Sequence, residues 1–363
     1  LFSLVASLIT GKRISDLTCG HKAFRKDLYL RLNMHEKRFG FETELMLRSL
    51  GDRTVTYGEC DVGYTPRRKT EGKKIRVSDG IGIMGKTVRY GLEGKRWLSA
   101  LVIGLMIVIM LVNMMNVKHW RDEKRVIEWD AISYYAYLPA AFIYHDLSLG
   151  FIDGYSGTHK FIFWPEKSPE GNYLIKTTMG LSILWLPFFL AGHVTALISG
   201  ADAGGYSGPY KLFLLLSALT FLVTGMIYLR KILLAHFSDK AVALTLAGFA
   251  FATNIYWYTL FQGTMPHVYS FALITAFIWY SMKWHHQRKA ESEELIEQGK
   301  EHSMPEQKSE KGRSQNIETK RFWSAVRLGL LLGIISLIRP TNIIIMLFFL
   351  LYGVTSGREL VKR

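Results

Sequence analysis

Residues 98–117 read Leu98-Ser-Ala-Leu-Val-Ile-Gly-Leu-Met-Ile-Val-Ile-Met-Leu-Val-Asn-Met-Met-Asn-Val117, an apolar run without a charge. About 20 apolar helical residues cross a hydrocarbon core of roughly 30 Å, so the run predicts a membrane span. Lys95 and Arg96 stand just before it, and positive residues ahead of a first span favour a cytoplasmic N-terminus. Further apolar runs at about 178–199, 210–229, 241–260, 267–284, 323–338 and 341–356 bring the expectation to about seven spans.

Outward from this run the chain divides into two regimes. Residues 1–96 carry 20 Lys/Arg against 11 Asp/Glu, a local net charge of 20 − 11 = +9. The whole 363-residue chain has a net charge of +15 and a mean hydropathy of only +0.12, because the polar part dilutes the apolar runs. Such a charge suits an anionic lipid or a phosphate-bearing substrate; no nucleic-acid-reading motif accompanies it. Cys19 and Cys60 are the only cysteines, too few for a disulfide framework or a metal-ligand cluster. The chain opens at Leu1 inside a helix-like run and stops at Arg363 soon after an apolar one, so a piece of a longer protein is expected.

The division expected is a domain at 1–93 and a multi-span membrane domain at 94–363. In the first, residues 1–10, 26–33 and 41–50 read as helices, and Arg53 to Cys60 alternates like a strand. Residues 77–92 place Ile81, Ile83, Met84, Val88 and Leu92 among Lys86 and Arg89, an amphipathic helix suited to a membrane surface. In the second, a long external loop covers 118–176. Residues 285–322, rich in Glu, Lys, Gln and Ser, read as a disordered loop. One conflict stays open: simple alternation puts Arg230 and Lys231 outside, whereas the positive-inside rule wants them inside. One further crossing or re-entrant piece, at 131–147 or at Pro187, would restore parity.

Two constellations carry chemistry. The first is spread over Ser15-Asp-Leu-Thr-Cys-Gly-His-Lys-Ala-Phe-Arg25, Phe39-Gly-Phe-Glu-Thr-Glu-Leu45 and Tyr64-Thr-Pro-Arg-Arg-Lys-Thr-Glu-Gly-Lys-Lys-Ile-Arg-Val-Ser-Asp-Gly80. The last of these gathers cations around Gly72, and Arg forks and Lys point charges pair with phosphate oxygens; charge alone favours a solvated basic loop. The order and spacing of the three stretches resemble the C-terminal half of family 2 glycosyltransferases of the dolichol-phosphate mannose synthase type. That resemblance implies an α+β partial GT-A domain, with Asp16 near the transferred sugar and Arg67, Arg68 and Lys74 on phosphate. A complete domain of that family would use a divalent metal, Mg or Mn. Its Asp-x-Asp half is missing from this sequence, so the family 2 portion is expected to be inactive on a nucleotide sugar by itself.

The second constellation is Val126-Ile-Glu-Trp-Asp-Ala-Ile-Ser-Tyr-Tyr-Ala-Tyr-Leu-Pro139, beyond the first span. A carboxylate held against an apolar surface, with its pKa raised by desolvation, suits a general base for an incoming hydroxyl; an ordinary acidic loop is the plainer alternative. An acidic residue followed closely by Tyr in a long first external loop is similar to the GT-C fold of polyprenyl-phosphate-dependent transferases. Tyr206-Ser-Gly-Pro-Tyr210, Pro266-His-Val-Tyr-Ser270 and Ile338-Arg-Pro-Thr-Asn342 add to that likeness. The resemblance implies an all-α polytopic membrane domain in which Asp130 is the base or a metal-linked carboxylate, Glu128 and Tyr134 support it, and His267 and Arg339 meet phosphate or acceptor. His193 and Asn254 read instead as helix-packing residues.

Together the resemblances imply a bacterial hexosyltransferase of the cell envelope, resident in the cytoplasmic membrane. Its partners would be a polyprenyl-phosphate lipid and the sugar carried on it. A flippase for the lipid-linked sugar and a non-catalytic anchor for a partner transferase are the alternatives. The apolar runs contain no Asp or Glu, which argues against a proton-coupled pump.

Overall fold

The computed structural model describes residues 1–52, 54–63, 77–93, 96–161, 167–301 and 307–354. The chain separates into two compact units, Leu1–Trp97 and Leu98–Arg363.

The first unit is helical throughout its regular structure. It comprises α1 (Phe2–Thr10), α2 (Lys26–Leu32), α3 (Phe41–Gly51) and α4 (Val77–Leu92). Ala6, Ile14, Leu17, Met46, Leu47, Leu50 and Tyr90 form one core, and Leu28, Leu32 and Leu45 a second. Glu44, fully buried, explains how α3 is anchored: its carboxylate accepts the main-chain N–H groups of His35 and Glu36 and pairs with Arg48 at 3.0 Å. A buried carboxylate is tolerated when donors surround it in this way. The Glu of the motif at 41–45 is therefore an architectural group.

The α+β partial GT-A expectation is overturned here. Among the described residues there is no strand or sheet, only an isolated bridge between Lys167 and Tyr173 in the other unit. Residues 54–60 are irregular, and the neighbouring contacts go to side chains: the Ser15 N–H and hydroxyl donate to Glu59, as does the Tyr57 hydroxyl. Alternation marks a strand only where a neighbouring strand accepts its main chain, and α1, α3 and α4 pack on one another instead. Ile83 and Tyr90 of α4 are buried in this unit, while Ile81 and Val88 stay exposed.

The second unit contains α5 (Leu98–Val117), α6 (Asp130–Tyr135), α7 (Tyr137–Pro139), α8 (Gly180–Ser199), α9 (Gly208–Leu233), α10 (Asp239–Phe251), α11 (Ile255–Leu260), α12 (Pro266–Glu301), α13 (Gln307–Ile338) and α14 (Met346–Leu351). Among the described residues four helices are long and apolar enough to cross a membrane, at Leu98–Arg121, Gly180–Ser199, Gly208–Leu233 and Arg321–Ile338. The expectation of about seven spans is corrected to these four. The run at 241–260 breaks at 252–254 into two short helices, α10 and α11. The run at 267–284 belongs to α12, where His, Tyr, Ser, Thr and Trp dilute the apolar residues. The run at 341–356 starts on Pro340 and yields only a short apolar helix, Pro340–Leu351. Helical backbone of α12 and α13 also occupies most of 285–322, expected as a disordered loop; its Glu, Lys, Gln and Ala are good helix formers.

Polar contacts fix the helix directions. Asp239, at the start of α10, accepts the Leu98 N–H at 2.8 Å and the Ser99 hydroxyl, while Arg230 Nε donates to the same Ser99 hydroxyl at 2.6 Å. A carboxylate there satisfies first-turn amides and faces the positive end of the α5 dipole. The start of α5 and the end of α9 thus lie at one end of the bundle, and Trp120 stands against Gly208 at the opposite end. That places the α9 end, with Arg230 and Lys231, beside the α5 start. The reversal that simple alternation lacked lies in 118–179. The Tyr134 carbonyl accepts from Ser182 near the α8 start, and the Tyr144 hydroxyl donates to the Gly204 carbonyl beyond the α8 end, so α6 and α7 run alongside α8.

Candidate functional site

The segment after α5 is held to the bundle by side chains from three places, and donates one further bond of its own. Lys211 Nζ on α9 donates to the Asp122 carbonyl at 2.6 Å and the Glu123 carbonyl at 3.1 Å. The Thr264 hydroxyl donates to the Val126 carbonyl at 2.5 Å, and Ser182 to that of Tyr134. Further along, the Tyr137 hydroxyl donates to the Thr177 carbonyl at 2.8 Å. Glu128 and Asp130 lie between these ties.

Their surroundings differ although only Trp129 separates them. Glu128 is 8 % exposed. Burial pushes its carboxyl above the usual range, and the Arg125 charge, 3.7 Å away, opposes that rise. Asp130 opens α6 and is exposed. Trp129 has a left-handed φ of 52°, uncommon for a bulky residue, and this turn is what sends one carboxylate inward and the other outward. Tyr134, also expected at the site, is buried, and its main chain is what Ser182 engages.

His267 and Arg339 come within electrostatic reach of one another, although 72 residues apart in sequence. His267 packs against Tyr258 with the rings tilted by 34° and their centres 4.0 Å apart. Arg339 is exposed at the turn between α13 and Pro340. Asn342 Nδ2 donates to the Ser270 hydroxyl at 3.0 Å, which fastens that turn to the α12 start. The same turn adjoins Thr178, whose hydroxyl donates to the Ile338 carbonyl at 3.5 Å. The loop that leads to His267, through Thr264, and the turn that leads to Arg339, through Thr178, thus flank the segment bearing Glu128 and Asp130.

The other expected residues are not brought to this place. Asp16 is exposed in the first unit and accepts the Thr18 N–H at 2.9 Å and hydroxyl at 3.0 Å, a local turn. Arg67, Arg68 and Lys74 lie outside the described residues. His193 shares a 2.5 Å hydrogen bond with the Tyr210 hydroxyl, the packing role its sequence context suggests. Asn254 precedes α11 and is exposed. Among the described residues no group of three or more His, Cys, Asp or Glu is disposed to hold a metal ion. The Mg or Mn expected for a complete family 2 domain therefore finds no donor set among them, and no step is assigned to it.

Sequence reasoning missed an aromatic box beside the carboxylates. Tyr206 is wholly buried, and Tyr135, Tyr155, His159 and Phe161 surround it with ring centres 4.9–5.6 Å away. His159 is 4 % exposed and lies against the main chain of Glu123 and Ile127. Burial, with the Lys211 charge adding to it, lowers its pKa to about 4. Asp202 accepts from the Tyr155 hydroxyl at 3.2 Å and anchors the box to the α8–α9 loop. The signal available in the sequence was Lys211, a lone cation near the start of an apolar helix, which needs a partner.

No family model, curated protein or solved structure matches this chain.

Proposed function

We propose that the chain is a membrane glycosyltransferase that transfers a sugar from a polyprenyl phosphate to a cell-envelope acceptor. The observation that carries this reading is the Glu128–Asp130 turn: two carboxylates beyond the first candidate span, one desolvated and one exposed, braced on both sides. Reach comes before basicity in choosing a base, so Asp130 is the group that meets the acceptor. It takes the acceptor hydroxyl proton as the oxygen bonds to the anomeric carbon. The bond from that carbon to the lipid phosphate breaks, and its electron pair leaves on the phosphate oxygen. His267 and Arg339 supply positive charge for that leaving phosphate. Glu128, behind the turn, holds Arg125 and fixes the loop.

In this reading the end of the bundle with Arg230 and Lys231 faces the cytoplasm, by the positive-inside rule, and Asp130 works nearer the opposite face of the cytoplasmic membrane. The activity rests on residues 98–363. The test is transfer of a radiolabelled sugar from its polyprenyl phosphate in vesicles containing the chain. Asp130→Asn is expected to lower the rate by about 10²–10⁴-fold, the range of a general base, with normal membrane insertion. Unchanged transfer in this variant would remove the reading and favour a lipid-linked sugar flippase or an anchor.

A further inference from the structure

A groove of about 320 Å³ lies between α12 and α13, at the end of the bundle remote from Asp130. Tyr280, Lys283 and Trp284 line it from α12, and Arg321, Trp323 and Arg327 from α13. Its described lining holds four cations, Lys283, Arg288, Arg321 and Arg327, and no acidic residue. Phe277, Leu328 and Ile335 pack the two helices together above it. The Tyr280 hydroxyl meets that of Tyr228 at 3.0 Å, and Lys231 lies over the Tyr228 ring at 4.9 Å, so the groove belongs to the same basic end as Arg230 and Lys231.

We propose that this groove binds the phosphate headgroup of an anionic membrane lipid. Trp and Tyr mixed with Lys and Arg is the composition of a membrane–water boundary. Arg321 starts a candidate span, and Arg327 lies six residues further in, roughly 9 Å along the helix. A cation at that depth is costly unless it snorkels or is neutralised, and a phosphate supplies two oxygens for a guanidinium fork. A lipid fits better than free phosphate because α13 also offers apolar surface for acyl chains: Phe322, Leu330 and Leu337 are 60 %, 65 % and 40 % exposed. The proposal does not depend on the transferase reading.

The test uses the full chain in a neutral detergent, with bound lipid counted by native mass spectrometry. Phosphatidylglycerol is titrated against phosphatidylcholine, and the Lys283→Gln/Arg327→Gln double variant is compared with Lys118→Gln at the opposite end. Both groove cations are exposed, so folding is expected to survive, and an unchanged melting temperature checks that. The expected result is preferential retention of phosphatidylglycerol, weakened about tenfold in the double variant and unchanged in Lys118→Gln and in the presence of excess inorganic phosphate. Equal retention of both lipids, or equal phosphatidylglycerol retention by the double variant, would overturn the site. Displacement by inorganic phosphate would overturn the lipid as its occupant.

Discussion

The ammonium of Lys211 donates to the main-chain carbonyl of Asp122 at 2.6 Å, across 89 residues of sequence. Lys211 is 2 % exposed, so its ammonium has little water to fall back on and depends on this bond. An unmade hydrogen bond there costs the desolvation of whatever is left unpaired.

Replacing Lys211 by Met is expected to destabilise the chain by roughly 1–3 kcal/mol, since the Asp122 and Glu123 carbonyls lose their donor. Lys211→Arg, which keeps a donor, is expected to recover part of that. Melting temperature in detergent is the measurement, and a Met variant as stable as the parent would show that the tie contributes nothing.

His159 predicts a pH dependence. Its unfolded value is 6.5 and its folded value is lowered to about 4, so between these two values the unfolded chain binds the extra proton. The contribution is fully present above pH 6.5 and is lost progressively as the pH falls toward 4. It amounts to roughly 3 kcal/mol. Melting curves across that window are expected to fall with acidification, and His159→Phe is expected to flatten the fall.

Glu128 acts in the opposite sense. Its folded pKa lies above the unfolded 4.5, so the folded state gives up its proton reluctantly, and stability declines as the pH rises from 4.5 through the folded value. Glu128→Gln is therefore expected to raise the melting temperature at neutral pH, while sugar transfer, if Glu128 fixes the Asp130 turn, falls. A melting temperature that drops in this variant would count against a desolvated carboxylate.

Gly180 offers a steric test. A Cβ there would overlap the Leu337 carbonyl oxygen, a main-chain atom that cannot swing away. Gly180→Ala is expected to cost about 1–3 kcal/mol. Gly248→Ala, with nothing within 4 Å of its Cβ position, is expected to be neutral or stabilising by up to about 1 kcal/mol.

How much of this was legible depended on the range of the interactions. Residues 98–117 announce a span by composition alone, and the helix they form has those bounds. The acidic pair was visible too, but its inward and outward halves were not, because that difference arises from the φ of Trp129 and from Thr264, far along the chain. His267 and Arg339 were singled out separately; only the turn fastened by Asn342 brings them near each other. The strand at 53–60 failed because alternation says nothing about whether a second strand exists to pair with it. The span count failed because length and apolarity do not reveal a break such as 252–254.

The Asp239 cap on α5 bears on how the chain is made. The Leu98 amide waits for a carboxylate 141 residues downstream. During synthesis α5 is therefore complete while its first turn is still open, and the latch shared by Ser99, Arg230 and Asp239 can close only once α9 and the beginning of α10 have been translated. A chain cut short before that point would keep α5 yet lack the fastening at its base.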